Sequence, residues 1–359
     1  MKRITRRMGS LLLAAAMVFV LIAATGCGSS GAASTAASAS ASASASASKS
    51  ASTGAVDYTK GNKVTITVAH YYPEDNPHHK AIVQAKEWLE EQTGGRITFE
   101  IYSNGSYGEQ LNCVQAVQMG TLDVFDHSFS SDYYEPAGVI QGPYLFRSYD
   151  HFHNFLKSDV YTELCKGTED AMGVKVLTAF HYGFRNVAFT EDCESPDDFA
   201  GKNIRVVNFE PYPEAATVLG ATGVSLSIDD VYMAIKTGVV QGTENPLAQI
   251  RERSFDEVTK YIIMTQHMLA VGNWIMSDKC WNNLSATDQD LVEQAFANVS
   301  STIEKGYEDA EQECLDEFQK EGLKIVYPDK QPFMDRLNLV FEKYPGWKDY
   351  YTRIQALEG

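Results

Sequence analysis

Two arginines in the second half of the chain, Arg185 and Arg205, have the chemistry needed to bind an anion. The planar guanidinium group can donate to both oxygens of a carboxylate at once, and it never loses its charge at physiological pH. The chain itself is acidic, with 30 Lys and Arg residues against 47 Asp and Glu residues and a formal net charge of −17. A positive site in such a chain indicates an anionic ligand, and the acidic balance argues against nucleic acid or anionic lipid as the partner.

The sequence lacks the motifs of common catalytic and cofactor sites. It has no GxSxG nucleophile elbow, no phosphate-binding P-loop and no CxxC pair. Gly26-Cys27-Gly28-Ser29-Ser30-Gly31 spells GxGxxG, but no strand precedes it and no helix follows, so it does not predict a dinucleotide site. We therefore expect no enzymatic activity and no cofactor.

The histidines are the residues that could suggest a metal site. They occupy eight positions: His70, His78, His79, His127, His151, His153, His181 and His267. The adjacent His78 and His79 would point apart on a helix, and His151 and His153 would share a direction only on a strand. No HExxH pattern is present in the sequence. The sequence therefore predicts no metal site.

The N-terminal segment predicts export. Residues Met1 to Arg7 carry four basic residues and no acidic one, and an apolar run follows from Leu11 to Ala24. A basic start, a short apolar run and small residues before a cleavage point are typical of a signal peptide, and the run is short for a membrane span. Ala24-Thr25-Gly26-Cys27 resembles a bacterial lipobox, which makes residues 1–26 a lipoprotein signal peptide and Cys27 the lipid attachment point. The alternative is an ordinary secretory peptide with an incidental cysteine.

The next segment, residues 27–57, predicts a flexible tether. Almost every residue from Gly28 to Ala55 is Ser, Ala, Gly or Thr, including an Ala-Ser repeat from Ala37 to Ser48. Such a segment has nothing to bury that would offset its ordering entropy, so we expect a disordered linker between the lipid and a folded domain. No two of the five later cysteines share a CxxC spacing, so we expect mostly buried thiols with at most one or two disulfides.

Strand and helix patterns alternate through the first half of the remaining chain, which has about 300 residues. The predicted strands are Val64–Val68, Ile97–Ile101, Leu122–Phe125 and Val174–Phe180. The predicted helices run from His78 to Gln92, stopped by Gly94-Gly95, and from Glu109 to Met119, closed by Gly120. This βαβα order predicts an α/β fold with a largely parallel sheet.

The second half has clear signals for helix starts. Ser195-Pro196-Asp197-Asp198 predicts a short helix ending at Gly201, and Ile204–Val207 predicts a strand. Ser227-Ile228-Asp229-Asp230 begins a helix that Gly238 ends. Residues Ser285 to Asp288 cap a helix with one apolar stripe that continues to Gly322. At 1.5 Å per residue this helix is about 50 Å long, long enough to brace two domains side by side.

Four short motifs follow one another in this half: His181-Tyr182-Gly183-Phe184-Arg185-Asn186, Gly201-Lys202-Asn203-Ile204-Arg205-Val206, Asp230-Val231-Tyr232 and Gly242-Thr243-Glu244-Asn245-Pro246. Together they resemble the DctP-type solute-binding proteins of TRAP transporters, which are tripartite, ATP-independent uptake systems. The intervals from Arg185 to Arg205 (20 residues) and from Arg205 to Asn245 (40 residues) are similar to those in the sialic-acid-binding members. The resemblance covers nearly the whole chain after the linker. It implies a two-lobed, periplasmic-binding-protein-like α/β fold with hinge strands, a long helix spanning both lobes and a ligand cleft between them.

The resemblance also implies lobes and site residues. Residues 58–182 plus 271–310 would form lobe I, and residues 183–270 plus 311–359 would form lobe II. Arg205 would be the principal carboxylate clamp, Arg185 the second, and Asn245 an amide partner. Further candidates for the ligand site are Asn208, which matches an amide in some members, the strand-end residues His70 and His127, and the aromatic residues Phe209 and Trp274. For both aromatic residues a place in the hydrophobic core remains an alternative.

By this resemblance the protein is extracytoplasmic and lipid-anchored, at the cell surface or in the periplasm. It would act as a monomer, capture a small carboxylate and hand it to the TRAP membrane subunits. The ligand could be a C4-dicarboxylate, a uronate or other sugar acid, a keto acid or an aromatic acid. The alternative functions are a binding protein of an ABC importer and a sensory receptor. Neighbouring genes would distinguish these, because a TRAP system needs adjacent membrane subunits.

Overall fold

Nine strands form one mixed sheet within residues 57–359, the part of the chain that the computed structural model describes. The predicted signal peptide, Cys27 and the linker up to residue 56 lie outside the described residues. The strands are β1 (Val64–Ala69), β2 (Ile97–Tyr102), β3 (Val124–His127), β4 (Val174–Phe189), β5 (Asn203–Val206), β6 (Thr222–Ser225), β7 (Gly242–Pro246), β8 (Tyr261–Ser277) and β9 (Lys324–Val326).

The strand order across the sheet is β2-β1-β3-β8-β4-β7-β5-β6, and β9 pairs with β8. β1 is parallel to β2 and β3, and β5 is parallel to β6 and β7. Between these two parallel groups, β8 runs antiparallel to β3 and β4, and β4 runs antiparallel to β7. The sheet is therefore mixed, which corrects the prediction of a largely parallel one. Apolar periodicity identifies a strand but carries no information about the direction of its neighbours.

Helices cover both faces of the sheet. Their bounds are α1 (Pro77–Thr93), α2 (Gln110–Met119), α3 (Tyr149–Phe155), α4 (Asp159–Met172), α5 (Pro196–Phe199), α6 (Pro213–Leu219), α7 (Val231–Lys236), α8 (Leu247–Glu252), α9 (Asp278–Asn283), α10 (Ala286–Lys320), α11 (Gln331–Met334), α12 (Leu337–Lys343) and α13 (Trp347–Gln355). None of the helices within residues 57–359 is both long and apolar enough to cross a membrane.

The predicted ends of α1 and α2 and the predicted starts of α5 and α10 are confirmed by their caps. The helix predicted from Ser227 to Gly238 instead begins with a 3-10 turn over Ile228–Asp230 and is α-helical only over Val231–Lys236. Gly94 and Gly120 end α1 and α2 in the left-handed conformation, with φ angles of 61° and 66° that glycine adopts without strain. Ser195 forms a capping box at α5. The side chain of Ser285 accepts from the amide of Asp288 at the start of α10, which is 35 residues long.

Two long strands, β4 and β8, connect the parallel groups. Residues 174–181 of β4 pair with residues 271–277 of β8, and beyond a register irregularity residues 185–189 pair with both β7 and the beginning of β8. Gly183, whose φ is 96°, lies within this irregularity between His181 and Phe184. These strands are the hinge strands of the predicted two-lobed fold.

The long helix α10 contributes to the core of both lobes. Its first half, including Phe296, packs with β1, β2 and α1. Its last turns, including Phe318, pack with α7, α8 and the beginning of β8. The helix therefore spans both lobes, as predicted. A further core joins Phe152 and Leu164 to the C-terminal Trp347, so its packing extends across the predicted lobe boundary at residue 182.

The five cysteines of the described residues are all free thiols. Three of them are buried and two are half-buried: Cys113, Cys193 and Cys314, then Cys165 and Cys280. Burial raises the pKa of each of these thiols. They are therefore protonated, unreactive packing residues at neutral pH.

Candidate functional site

Arg205 is a buried guanidinium with hydrogen-bonding capacity left over. It lies on β5, only 3% exposed, and its Nε donates to the backbone oxygen of Leu226 at 3.0 Å. Its Nη1 is buried and has no hydrogen-bond partner among residues 57–359. Burial lowers the pKa of Arg205 to about 10, which still leaves it charged at neutral pH. A buried charge with a free donor is costly unless an anion completes its hydrogen bonds.

Arg185 already has a carboxylate partner inside the protein. On β4, its Nη2 donates to Oε1 of Glu244 at 2.9 Å and to the backbone oxygen of Glu244 at 2.6 Å, while its Nε pairs with Oε2. The ring of Tyr212 lies 5.1 Å from the guanidinium carbon. Burial would raise the pKa of Glu244, but Arg185 and then His267 lower it to about 2. The pair is thus fully ionised at neutral pH and fully buried.

This pairing was not anticipated from the sequence, which assigned Arg185 as a second carboxylate clamp. The fork that would bind a ligand carboxylate is occupied by Glu244, and a filled bidentate pair has little remaining attraction for a second anion. Glu244 stands beside Asn245 in the motif Gly242-Thr243-Glu244-Asn245-Pro246, which is the signal in the sequence that could have identified it. The structure therefore gives Arg185 an internal partner on the neighbouring strand β7.

Asn245 is held by its own neighbours on β7. Its side-chain oxygen accepts from the hydroxyl of Thr243 at 2.8 Å, and its nitrogen donates to Gln249 at 3.1 Å. Thr243 is in register with Arg205 on the adjacent strand, so Asn245 lies two residues along β7 from the position opposite Arg205. These contacts fix the direction of the amide.

Tyr182 is on β4, with the centre of its ring 6.0 Å from that of Tyr307. Burial raises the pKa of its phenol, and Arg185 lowers it. Asp126 is on β3, and burial raises the pKa of its carboxyl to about 8. At pH 7 this acid is mostly protonated and can donate a hydrogen bond. Asp126 was missed from the sequence, although it directly precedes the selected His127.

His127 ends β3 opposite Asn273 of β8. Both ring nitrogens of His127 and both amide atoms of Asn273 are buried, and none has a hydrogen-bond partner among the described residues. Burial lowers the pKa of His127 to about 4, so the imidazole is neutral at physiological pH. A neutral imidazole and an amide offer donors and acceptors without charge, which suits hydroxyl groups. Asn273 was also missed, and only its neighbour Trp274 was selected.

His70 follows β1 at the same carboxyl edge of the parallel strands. Its Nε2 lies 3.2 Å from Nδ1 of His79, and its Nδ1 accepts from the backbone amide of Tyr72 at 3.2 Å. Burial, assisted by His79, lowers the pKa of His70 to about 4. The carboxyl ends of parallel strands are where α/β proteins bind ligands. His70 therefore has the expected position, with both ring nitrogens already engaged.

Comparisons with known proteins identify the family of this chain. The sequence model of DctP, a bacterial extracellular solute-binding protein, family 7, matches residues 68–345. The chain is 29% identical over 262 residues to the sialic acid-binding periplasmic protein SiaP of Vibrio cholerae serotype O1, covering 71% of this chain and 80% of that protein. The chain belongs to the DctP family.

Its fold is also similar to solved TRAP periplasmic solute-binding proteins. One, from Pseudomonas putida F1 with bound D-glucuronate, has a TM-score of 0.76 and 23% identity, covering 82% of this chain and 98% of that one. Another, from Haemophilus influenzae with bound L-gulonate, has a TM-score of 0.74 and 25% identity, covering 81% and 98%. This chain is therefore an extracellular solute-binding protein of the DctP family, whose members are substrate-binding transport proteins, and it has the fold of TRAP periplasmic solute-binding proteins.

The remaining candidate ligand-binding residues differ in their exposure to solvent. Asn208 is exposed after β5, and Phe209 is half-buried with its ring 5.0 Å from that of Tyr212. Trp274 is a correction, because its fully buried indole packs between Phe180 and Phe296 in the lobe I core. The sequence could not separate these cases, since an aromatic residue in a strand serves either role.

Proposed function

We propose that this DctP-family protein captures a small organic acid by its carboxylate at Arg205 and delivers it to the membrane subunits of a TRAP transporter. The observation that carries the proposal is the buried Arg205, charged at neutral pH, with an Nη1 that has no partner among residues 57–359. An anion that leaves water needs fixed donors to replace its hydration, and this group supplies them. Membership of the DctP family supports the transport role.

The charge balance of the site favours a ligand with one carboxylate and several hydroxyl groups. Arg185 is neutralised by Glu244, which leaves Arg205 as the net positive charge of the pair of arginines. The uncharged His127 and Asn273 have open hydrogen-bonding atoms suited to hydroxyls. The ligands of the two similar structures, D-glucuronate and L-gulonate, have this chemistry. We therefore rank a uronate or other sugar acid above a C4-dicarboxylate or a keto acid.

The proposed ligand site has Arg205 as the clamp and an uncharged, polar opposite wall. Asn245 orients the carboxylate near Arg205, and Asn208 and Phe209 cover it from the rim. His70 and His127 line the lobe I side at the ends of β1 and β3. We keep the proposed lobes as residues 58–182 plus 271–310 and residues 183–270 plus 311–359, with the cleft between them.

We further propose that the protein binds without catalysis and works outside the cytoplasm. Cys27 would carry a lipid, and the Ser- and Ala-rich linker would let the folded part reach the membrane subunits. The lipobox-like run before Cys27 supports this proposal. We also propose that the protein acts as a monomer.

The test begins with a thermal-shift screen of the purified protein against uronates, aldonates, sialic acid, C4-dicarboxylates and keto acids. A ligand at a hundred times its Kd should stabilise the folded state by about 2.7 kcal/mol. Calorimetry then compares the wild type with Arg205→Ala and Arg205→Lys. A charge-assisted hydrogen bond contributes about 1.5–3 kcal/mol, so losing two should weaken binding by about 100-fold or more. Lysine keeps the charge but loses the fork, so it should recover only part of the loss.

Arg353→Ala is the matched control, because Arg353 is a partly exposed arginine of α13, ion-paired with Glu163 at 2.5 Å. It should bind as the wild type does. The methyl ester of the acid should bind poorly to the wild type, because it has lost the anionic oxygen pair. Binding of the ester equal to that of the acid, or Arg205 variants within a few-fold of the wild type, would overturn the assignment of the clamp.

A further inference from the structure

A second cluster of ligating side chains lies outside the proposed ligand site. It combines His153 of α3, His181 of β4 and Glu304 of α10. Each offers one ligating atom, and these atoms all lie within 4.8 Å of one another. Glu308, one helical turn after Glu304, places its Oε1 3.2 Å from Nε2 of His181. Two imidazoles and the carboxylate of Glu304, from three separate elements, therefore lie close together, and the carboxylate of Glu308 lies beside His181.

His181 is the member that ordinary packing leaves unexplained. Its side chain is fully buried, and neither ring nitrogen has a hydrogen-bond partner among residues 57–359. The nearby Oε1 of Glu308 is within reach but lacks the alignment of a hydrogen bond. The ring is held in place by stacking on Tyr149, with centroids 4.2 Å apart and planes 5° from parallel. The hydroxyl of Tyr149 in turn donates to Glu311 at 3.0 Å.

An ion pair alone does not account for this arrangement. Nε2 of His153 lies 3.1 Å from Oε2 of Glu304, and Oε1 of Glu304 accepts from the backbone amide of His181 at 3.2 Å. These contacts satisfy Glu304 and His153 but leave the imidazole of His181 without a partner. Buried polar atoms in proteins are nearly always satisfied, so a buried, unpartnered imidazole beside two carboxylates points to a missing ligand.

We propose that His153, His181 and Glu304, with Glu308 as a fourth ligand, bind a divalent first-row transition metal of the Zn²⁺ class. Two imidazole nitrogens and carboxylate oxygens are ligands that Zn²⁺ accepts in a tetrahedral arrangement with bonds of about 2.0–2.2 Å. Such bonds place neighbouring ligand atoms about 3.4 Å apart. Rotation of the long Glu304 and Glu308 side chains and of His153 can draw the ligands together while the stacked ring of His181 stays fixed.

The cluster is reachable from solvent. The side chains of His153 and Glu308 are 36% and 39% exposed, so hydrated ions can enter beside them. His153 also lines a surface cavity of about 520 Å³. Hard ions such as Mg²⁺ and Ca²⁺ prefer all-oxygen ligands, so the two imidazoles select against them. A bound ion would connect the hinge strand β4 to α10 and α3, immediately before the register irregularity at Gly183.

The test uses the untagged protein, stripped of metal with a chelator and titrated with Zn²⁺ by calorimetry. One ion should bind per chain. Because even outer-shell substitutions weaken metal binding by about 10–100-fold, removing a ligand in His153→Ala or Glu304→Gln should weaken it at least that much. Glu313→Gln is the control, since Glu313 is an exposed acid of the same helix outside the cluster. It should bind Zn²⁺ as the wild type does.

Co²⁺ gives a second readout that is independent of stability. The wild type and Glu313→Gln should show the intense visible absorption of four-coordinate Co²⁺, and His153→Ala should lose it. Failure of the wild type to bind either ion stoichiometrically would overturn the proposal. So would unchanged Zn²⁺ affinity in both His153→Ala and Glu304→Gln. Neither measurement involves binding of an organic acid. Failure of the metal proposal would therefore leave the proposed function untouched, and the two can be told apart.

Discussion

Replacing Glu244 by glutamine should destabilise the folded protein strongly. Glu244 and Arg185 are fully buried, and glutamine keeps the shape of the side chain while removing its charge. The guanidinium of Arg185 would then remain charged in the interior without a counterion. Removal of one partner from a buried ion pair costs about 3–5 kcal/mol, a large part of the 5–15 kcal/mol that holds a typical domain folded.

The pKa of Glu244 supports a similar magnitude. Arg185 and His267 outweigh the effect of burial and lower this pKa from 4.5 to about 2. A shift of that size corresponds to about 3 kcal/mol of preferential stabilisation of the carboxylate in the folded state. For an acid with a lowered folded-state pKa, this stabilisation is complete above pH 4.5 and is lost as the pH falls from 4.5 towards 2. The difference in stability between wild type and Glu244→Gln should therefore shrink over that interval.

Urea unfolding at a series of pH values from 7 to 3 measures this difference directly. The control is Asp170→Asn, which breaks the exposed ion pair between Lys166 and Asp170 on α4. Exposed pairs contribute little, so the control should unfold as the wild type does at every pH. A loss of less than about 1 kcal/mol in Glu244→Gln at pH 7 would refute a buried, ionised pair. A pH-independent loss would refute the assigned pKa.

Three further outcomes follow from the site, the N-terminus and the hinge. Because burial raises the pKa of Asp126 from 3.8 to about 8, its ionisation opposes folding increasingly across that range. Asp126→Asn should raise the Tm at pH 9 and leave it unchanged near pH 3, and an equal effect at both would contradict this. Cys27→Ser should release the protein into the medium or leave it unprocessed, whereas mass spectrometry showing wild-type residue 27 unmodified would argue against lipidation. Small-angle scattering should show a smaller radius of gyration with saturating ligand, and no change would speak against cleft closure.

The candidate site was only partly visible in the sequence. Arg205 could be selected because its type and its spacing within four ordered motifs identify it, and the structure leaves it the open donor that a carboxylate needs. Asp126 and Asn273 carried no such signal, because an Asp or Asn in a strand does not reveal whether its polar atoms find partners. Trp274 was selected in error for the same reason, as its burial depends on Phe180 and Phe296.

The amino-acid sequence by itself determined the local structure of this protein and its family. Helix ends at Gly94 and Gly120, the capping box at Ser195 and the start of α10 follow from side chains within a few residues of each backbone group they cap. Such interactions join residues that are close in the sequence, so the order of residue types is enough to predict them.

Only the tertiary structure decided which charges meet. Arg185 and Glu244 are 59 residues apart, and their pairing exists because β4 and β7 lie side by side and antiparallel. His153, His181 and Glu304 come from a short helix, a hinge strand and the long helix, over more than 150 positions of the chain. Electrostatic and hydrogen-bonding energies depend on distance in space and on burial. The spacing of residues along the sequence specifies neither quantity. Only the folded structure therefore distinguishes polar groups that have hydrogen-bond partners from those that do not.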